Sequence, residues 1–314
     1  MSGTIVIGAG MAGIACARAL HDAGQAVRVI DKGRGIGGRM ATRRADTVAG
    51  VLRFDHGAQY VTARDPAFDA LLAGMPEAAI WDDGATHPHY VGLPGMSGLP
   101  RAMAAGLDVT SGVEVTAIRP FDTGWQVTAG ADVFAADRVV VTVPVPQVAP
   151  LIGADNPLVP ALSPVEMAPC LTLMAAFPAG DRAPFVSRTP PDGPLAFIVR
   201  DSSKPNRSQA ATTWVAQASP AWSAAHIEED KTQIADRMLP LLCAAIGTDP
   251  NAALHADAHR WRHARVTTPL GRPFLRDATG TLHLGGDWCL GARVAAAWKS
   301  GTAIARDILG GGHA

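Results

Sequence analysis

The sequence predicts an α/β protein with two lobes, one built around a parallel sheet and the other around an antiparallel sheet. Three observations support this fold class. A strand, a glycine-rich turn, a helix and a second strand occupy the first 31 residues, and a strand, tight turn and helix close the chain. Short strands alternate with prolines between residues 144 and 220. The 314 residues also exceed the size at which single cores stop growing, about 250 to 300 residues.

The composition is that of a globular protein without a nucleic-acid or membrane partner. Hydrophobic residues make up 48% of the chain and charged residues 18%, and 27 Lys plus Arg nearly balance 28 Asp plus Glu. The apolar runs are too short for a signal peptide or a membrane span. The four cysteines, Cys16, Cys170, Cys243 and Cys289, form no CxxC pair. We therefore expect a cytoplasmic protein without disulfides or a metal site, and the sequence leaves its oligomeric state open.

The opening segment predicts a βαβ unit. Thr4 to Ile7 is a β-branched strand, Ala12 to Ala23 has the pattern of a helix, and Ala26 to Ile30 is a second strand that ends at Asp31. Between the first strand and the helix lies a GxGxxG motif. This order is typical of a Rossmann-type dinucleotide-binding lobe.

Each position of the motif has a physical role in holding a dinucleotide. Gly8 permits the tight turn, Gly10 lets the backbone approach a pyrophosphate, and Gly13 lets helix and strand pack closely. The helix N-terminus offers N–H groups and a positive dipole to the phosphates. Asp31 would accept hydrogen bonds from the adenosine ribose. At this point the sequence does not distinguish NAD from FAD.

The segment GRGIGGRMAT, residues 33 to 42, favours FAD. It resembles the glycine and arginine segment that follows the second strand in amine-oxidase-like flavoproteins, where it runs beside the FAD pyrophosphate and flavin. Its glycines let the backbone lie against a cofactor, and Arg39 could contact phosphate oxygens with both of its terminal nitrogens. The simpler alternative is a solvated basic loop.

The closing segment TLHLGGDW, residues 281 to 288, supports the same cofactor. A short strand enters a turn at Gly286-Asp287, and residues 291 to 309 have the period of an amphipathic helix. The segment resembles the closing FAD motif of the same superfamily, in which the Asp reaches the ribityl chain or phosphate. The helix N-terminus would stabilise negative charge on a reduced flavin.

Between the two ends, the sequence predicts a second lobe inserted into the cofactor lobe. Residues 106 to 143 indicate a meander of short strands and a final buried strand, and Ala224 to Ile246 predicts one helix, kinked at Pro240. The predicted division is a FAD-binding domain of residues 1–60, 93–144 and 266–314, and a substrate domain of residues 61–92 and 145–265.

Three further patterns allow more than one interpretation. His255, His259 and His263 would share one face of a continuous helix as zinc ligands, but no HExxH motif is present and arginines interleave. The arginines between residues 260 and 265 could meet a substrate pyrophosphate or could be solvated surface. The segment FDHGAQY, residues 54 to 60, is either a stabilised turn or an active-site wall.

Taken together, the segments resemble the bacterial renalase-like flavoproteins, a compact branch of the amine oxidase superfamily with the p-hydroxybenzoate-hydroxylase fold. The resemblance is carried by GxGxxG, GIGGRMATRR, FDHGAQY, VGLPGMSGLPRAM, WVAQASPAWSAAH and GGDWCLGARVAAAW, and spans nearly the whole chain. It implies non-covalent FAD and oxidation of isomers of reduced nicotinamide dinucleotides by hydride transfer to flavin N5, with O2 reduced to H2O2. Amine oxidases that attach their flavin use a cysteine upstream of the closing motif, whereas Cys289 follows Gly286-Asp287.

The motifs and the resemblance together give the candidate site residues. His56, Tyr60 and Trp288 are the candidate catalytic residues, as walls near the isoalloxazine. The candidate FAD-binding residues are Gly8, Gly10, Met11, Ala12, Gly13, Asp31, Lys32, Gly38, Arg39, Met40, Gly57, Ala58, Gln59, Val115, Gly286, Asp287, Arg293 and Val294.

Two other functions stay open at this stage. The chain could be an amine oxidase or desaturase that uses the same flavin with another pocket, or a flavin-binding redox sensor without turnover. The chain has only two tyrosines, Tyr60 and Tyr90, which argues against the aromatic cage that many amine oxidases use. The sequence does not distinguish an NAD from an NADP form of the substrate.

Overall fold

The computed structural model describes residues 3–180, 183 and 185–310. The strands within these residues are β1 (Thr4–Ile7), β2 (Val27–Asp31), β3 (Thr42–Thr47), β4 (Gly50–Asp55), β5 (Ala78–Trp81), β6 (His89–Gly92), β7 (Asp108–Ser111), β8 (Val115–Phe121), β9 (Gly124–Ala129), β10 (Asp132–Ala136), β11 (Arg138–Val141), β12 (Glu166–Pro178), β13 (Ser187–Arg188), β14 (Leu195–Arg200), β15 (Ala211–Ala218), β16 (His255–Thr268), β17 (Phe274–Arg276) and β18 (Leu282–Gly285). The α-helices are α1 (Met11–Asp22), α2 (Pro66–Ala73), α3 (Gly98–Met103), α4 (Val148–Ile152), α5 (Pro220–His226), α6 (Lys231–Ile246) and α7 (Val294–Ile308).

A six-stranded sheet forms the centre of the first lobe, in the order β17-β18-β11-β1-β2-β7. β1 pairs in parallel with β2 and β11, and the parallel pairing continues outward to β7 and β18, while β17 is antiparallel. The carboxyl ends of the parallel strands therefore meet at one edge, where ligands bind in open α/β sheets. This order confirms the predicted α/β fold class.

Glycines allow the first and last helices to pack directly on each other. A Cβ on Gly301 of α7 would lie 2.0 Å from the Ala12 carbonyl oxygen of α1, and a Cβ on Gly13 would lie 1.9 Å from the Gly8 carbonyl oxygen. Both distances are shorter than any van der Waals contact. A side chain at position 301 would therefore separate α7 from α1, and one at position 13 would separate α1 from the loop after β1. This close approach brings the opening and closing motifs together.

The second lobe is a five-stranded antiparallel sheet in the order β13-β14-β15-β12-β16. Its outer face is covered by α6, and Leu173, Trp214 and Ala258 of the sheet form one buried cluster with Met238 and Leu242 of the helix. The inner face is turned toward the first lobe. The antiparallel sheet confirms the interpretation of the proline-rich middle of the chain.

The prediction of a single helix from Ala224 to Ile246 is wrong, because two helices occupy this region. The Ser219 hydroxyl accepts a hydrogen bond from the Trp222 N–H at 3.4 Å and caps α5. Asp230 begins α6 with a capping box, in which its carboxylate accepts from the Gln233 N–H and the Gln233 side chain accepts from the Asp230 N–H. Each side chain satisfies N–H groups that a new helix leaves unpaired, so the chain starts a helix twice.

The segment of the three histidines is strand β16 and not a helix. A four-residue spacing places side chains on one face of a strand as well as of a helix, since the strand period is two. His255 stacks on Phe54 of β4 with ring centroids 5.6 Å apart, so this face is turned toward the first lobe. Because side chains point alternately to the two faces of a strand, Arg260 and Arg262 lie on the opposite face. Arg260 donates to the carbonyls of residues 227 and 229, and Arg262 pairs with Glu228.

The remaining strands form three smaller sheets. β8, β9 and β10 form a three-stranded meander, and β3–β4 and β5–β6 are two-stranded hairpins. One buried apolar cluster contains Val6 and Leu20 of the first lobe together with Met174 and Val215 of the second. The two lobes therefore share a core, and the domain boundaries at residues 60, 92, 144 and 265 stay a prediction.

Candidate functional site

The glycine loop after β1 leaves open space at the N-terminus of α1. Gly8 adopts a φ of +109°, which favours glycine, and its N–H donates to the Ile30 carbonyl at 2.9 Å. Gly10 is the residue before the helix, and a Cβ built there would meet nothing within 4 Å. A phosphate group would find both room and a positive helix end at this point.

Asp31 ties the end of β2 to the glycine loop. Its Oδ2 accepts from the Ala9 N–H at 2.5 Å, and its Oδ1 accepts from the Gly33 N–H at 2.6 Å. The carboxylate is half-buried, at the edge where β1 and β2 end. Next to it, Lys32 pairs with Glu114 at 3.5 Å. Asp31 therefore lies where a Rossmann-type lobe holds the ribose of a dinucleotide.

Arg39 and Asp287 join the opening and closing motifs. Arg39 Nη2 lies 2.6 Å from Asp287 Oδ1, and Arg39 Nη1 lies 2.8 Å from Asp287 Oδ2. The Nη1 also donates to the Ala264 carbonyl at 3.0 Å. A two-bond contact between planar groups fixes both side chains. Sequence reasoning assigned both residues to one site, but not their contact with each other.

Gly57 packs directly against the backbone of Arg39. The Ala58 N–H donates to the Arg39 carbonyl at 2.8 Å, and a Cβ on Gly57 would lie 1.9 Å from the same oxygen. The Gly57 carbonyl accepts from Gln217 Nε2 of β15 at 2.7 Å and from Gln59 Nε2 at 3.1 Å. The FDHGAQY segment therefore lies between the Arg39 segment and the inner face of the antiparallel sheet.

Four buried charges lie beneath this segment, and sequence reasoning missed their association. Lys204 Nζ donates to Asp55 Oδ2 at 3.1 Å and to Asp201 Oδ1 at 2.6 Å, and Arg207 donates to Asp55 Oδ2 at 2.6 Å. Burial alone would raise the pKa of Asp55, but Lys204 and Arg207 hold the pKa below its ordinary value. Lys204 also donates to Gln59 Oε1 at 3.0 Å, which connects this charge cluster to the Gly57 carbonyl.

His56 is buried against an aromatic cluster from β16. Its ring stacks on Trp261 with centroids 5.2 Å apart and meets His259 edge to face at 4.7 Å. Burial, with smaller effects from His259 and Arg43, lowers the pKa of His56 to about 3. Burial also lowers the pKa of His259 to about 4. Both imidazoles are therefore uncharged at neutral pH.

Tyr60 is half-buried beside His89 of β6 and Phe197 of β14, and we call this partly exposed region the opening. Its ring stacks on His89 with centroids 3.6 Å apart, and His89 Nδ1 lies 2.9 Å from Asp83 Oδ2. Burial and Asp83 raise the pKa of Tyr60, while Arg265 and Arg293 partly offset this. The positive charges of both guanidinium groups therefore act on the phenol. His89 and Phe197 were not predicted as site residues. Arg265 was considered only as part of the arginine run, and strand alternation would have separated it from Arg262.

Arg293 precedes the first turn of α7. It has extended backbone angles, with φ −142° and ψ 149°, and Val294 begins the helix. The first turn of α7 carries no acidic residue. The positive end of this helix dipole therefore lies next to Arg293, whose charge also acts on Tyr60.

The structure does not support Trp288 as a wall of the site. Its side chain has no exposed surface, its indole N–H donates to the Val143 carbonyl at 3.1 Å, and it belongs to the apolar cluster that includes Val141 and Leu284. This is a core position. Cys289 beside it is also fully buried, and burial raises the pKa of its thiol to about 12.

The first strand of the parallel sheet enters a helix through a glycine loop. This arrangement is the framework of dinucleotide-binding oxidoreductases, and the chain belongs to that class. It belongs to the flavin containing amine oxidoreductase family, whose profile matches residues 67–309. The profile of the NAD(P)-binding Rossmann-like domain matches residues 6–74. The protein is therefore an FAD-dependent oxidoreductase.

Solved structures with the same fold include two amine oxidases. Putrescine oxidase bound to putrescine aligns with a TM-score of 0.73 at 16% identity, over 98% of this chain and 99% of that one. Cyclohexylamine oxidase from Brevibacterium oxydans aligns with a TM-score of 0.72 at 15% identity, over 98% and 99%. At these identities the likeness establishes the fold.

The residues present fit FAD, because the helix N-terminus at Gly10 has open space for a phosphate, Asp31 lies next to this loop, and Arg39 brings the opening and closing motifs together at Asp287. Over residues 3–180, 183 and 185–310, no group of three or more His, Cys, Asp or Glu side chains could hold a metal ion. In the same part of the chain, no helix has the length and hydrophobicity that crossing a bilayer requires.

Proposed function

We propose that the protein oxidises isomers of reduced nicotinamide dinucleotides, with O2 as the final electron acceptor and H2O2 as the second product. The observation that carries the proposal is the pair of arginines, Arg265 and Arg293, beside the Tyr60 and His89 ring stack. A dinucleotide has planar rings and a pyrophosphate, and this opening offers aromatic surface and positive charge together.

The cofactor would be held by the opening and closing motifs. We assign the pyrophosphate to the N-terminus of α1 at Gly10, Met11 and Ala12, and the adenosine ribose to Asp31. The ring end would lie between Gly57 and the N-terminus of α7. Gly8, Gly13, Lys32, Gly38, Arg39, Met40, Ala58, Gln59, Val115, Gly286, Asp287, Arg293 and Val294 complete the proposed FAD contacts.

The charge of the opening separates this proposal from amine oxidation. An alkyl amine is a cation at neutral pH, and two arginines at the entrance would repel it. The nearest acid, Asp83, has a side chain that is 5% exposed and is engaged with His89 Nδ1. Two arginines against this one acid leave the opening with a net charge of about +1 at neutral pH, which favours an anionic substrate.

The chemistry needs little from protein acids and bases. Bound FAD supplies an acceptor for the hydride of a dihydropyridine carbon, and the ring nitrogen of the substrate drives its loss. The chain must position the substrate and exclude water. His56 and His259 are neutral and buried, which suits a dry site wall rather than general acid catalysis.

The proposal predicts which substrate bleaches the bound flavin. We expect anaerobic mixing of the yellow holoprotein with α-NADH or another dihydronicotinamide isomer to remove the flavin absorbance, and mixing with putrescine or cyclohexylamine to leave it unchanged. Air should then restore the colour and yield H2O2. Bleaching by the amines alone would establish an amine oxidase, and no bleaching by any of these compounds would favour a redox sensor.

A second prediction concerns Arg265. Arg265→Gln should raise KM for a dihydronicotinamide dinucleotide about fivefold, because an exposed charge contact contributes about 1 kcal/mol, with kcat little changed. The matched control is Arg262→Gln, on the same strand but on the opposite face, where it pairs with Glu228. Steady-state kinetics at two salt concentrations measure both. Equal KM values for the two variants would remove Arg265 from the substrate site.

A further inference from the structure

The β3–β4 hairpin presents two different faces. Arg43 and Phe54 lie opposite each other in the register and point to the antiparallel sheet, where Arg43 Nη2 is 3.3 Å from His259 Nδ1 and Phe54 stacks on His255. The neighbouring pairs must point the other way, because side chains alternate along a strand. The outer face of the hairpin therefore points away from the antiparallel sheet.

The outer face carries two arginines directly opposite each other. Arg44 pairs with Arg53 in the register, and like charges at such positions destabilise a sheet unless something balances them. Both side chains are exposed. Within the described part of the chain, neither forms an ion pair with an acidic residue, and this includes Asp46, the next residue on that face.

This arginine pair lines a groove on the surface. It has a volume of about 510 Å³ and lies between the hairpin and the segment that leads into α3. Thr42 and Ser97 contribute hydroxyls to its lining, and Arg101 adds a third guanidinium. Glu77 is the acidic residue in the lining. Three arginines against one glutamate leave the groove with a net charge of about +2 at neutral pH.

We propose that this groove is a second anion-binding site, separate from the flavin and its substrate opening, that takes the phosphate or pyrophosphate group of a small molecule. Phosphate groups match the charge and the forked geometry of guanidinium.

The position of the site gives it a route to the flavin segment. The Thr42 hydroxyl donates to Asp55 Oδ1 at 2.7 Å, and the Met96 N–H donates to the same oxygen at 2.8 Å. Thr42 lines the groove, and Ser97, which also lines it, follows Met96. Asp55 belongs to the charge cluster that holds Gln59. A ligand in the groove therefore contacts the residues that position this cluster.

The experiment is calorimetric titration of the FAD-loaded protein with inorganic pyrophosphate, repeated with inorganic phosphate. Loading with FAD first keeps the probe out of the cofactor site. We expect Arg44→Gln with Arg53→Gln to abolish the groove binding event and Arg101→Gln to weaken it about tenfold, as loss of a charge-assisted contact would. Binding in the groove should be unchanged in two control variants. One is Arg188→Gln, which replaces an exposed arginine outside the groove, and the other is Arg265→Gln at the substrate opening.

Several outcomes would overturn the proposal. They are failure of both probes to bind the wild type, equal binding by the wild type and the groove variants, and loss of the whole signal in Arg265→Gln alone. A flavin spectrum and a thermal melt of each variant show that it is folded and loaded. Bleaching of the flavin by α-NADH is measured separately from anion binding in the groove. The proposal of the groove site can therefore be disproved while the proposed oxidase function stands, and the oxidase function can be disproved while the groove site stands.

Discussion

Asp55→Asn should lower the free energy of unfolding by about 3 to 5 kcal/mol, the range found when one partner of a buried ion cluster is removed. The substitution keeps the size of the side chain but leaves Lys204 and Arg207 facing Asp201 alone, with a net positive charge in a region without exposed surface. Urea unfolding followed by tryptophan fluorescence measures the change. The slope of the transition should be the same in the variant and the wild type, as two-state unfolding requires.

The matched control is Glu228→Gln, which also neutralises an acid paired with an arginine. Glu228 and Arg262 are exposed, with side-chain exposures of 76% and 49%, so water already screens the pair and little change is expected. If Asp55→Asn were no more destabilising than this control, the four buried groups would not depend on one another. FAD retention provides a second measurement, since Asp55 is linked through Lys204 and Gln59 to the Gly57 carbonyl.

The two ends of the chain could be predicted because their structure depends on neighbouring residues. The glycines of the opening loop, the acid at the end of β2 and the Gly286-Asp287 turn each determine a local geometry. The helix between residues 224 and 246 was mispredicted although its signals were present. Ser219-Pro220 and the Asp230-x-x-Gln233 capping box both mark helix starts.

Strand β16 was missed for a different reason. Its histidines recur every four residues, a spacing that fits both the helix period of 3.6 residues and the strand period of two. The pattern therefore could not distinguish a helix from a strand. The strand has a consequence for the arginine run. Arg260 and Arg262 contact the region of α5 and its following turn, while Arg265 acts on Tyr60. The run is therefore divided between two faces of the strand, and a contact of Arg265 with a substrate pyrophosphate stays a prediction.

The buried charge cluster could not be predicted from the sequence. Asp55 is 149 residues from Lys204 and 152 from Arg207, and each looks like an ordinary surface charge. Only the packing of the two lobes brings them together. The same applies to the contact of Arg39 with Asp287, 248 residues apart.

Gly57→Ala should reduce FAD affinity by roughly a hundredfold, equivalent to about 3 kcal/mol at the upper end of overpacking penalties. The added Cβ would lie 1.9 Å from the Arg39 carbonyl oxygen, with Trp261 Cζ2 3.5 Å away on the other side. The segment is also held by Gln217 and cannot shift freely. The Arg39 backbone, and with it the contact to Asp287, must therefore move. Flavin retained after dialysis and the Kd from fluorescence quenching measure the loss.

Gly74→Ala is the matched control for this prediction. It adds the same methyl group to a glycine outside the cofactor segments, at the end of α2, where φ is −85° and the nearest atom, the Ala70 carbonyl oxygen, lies 3.4 Å away. We expect this variant to bind FAD as the wild type does. If both variants lost FAD equally, the effect would come from a general destabilisation of the fold. If neither lost it, the contact between the FDHGAQY segment and Arg39 would not shape the cofactor site.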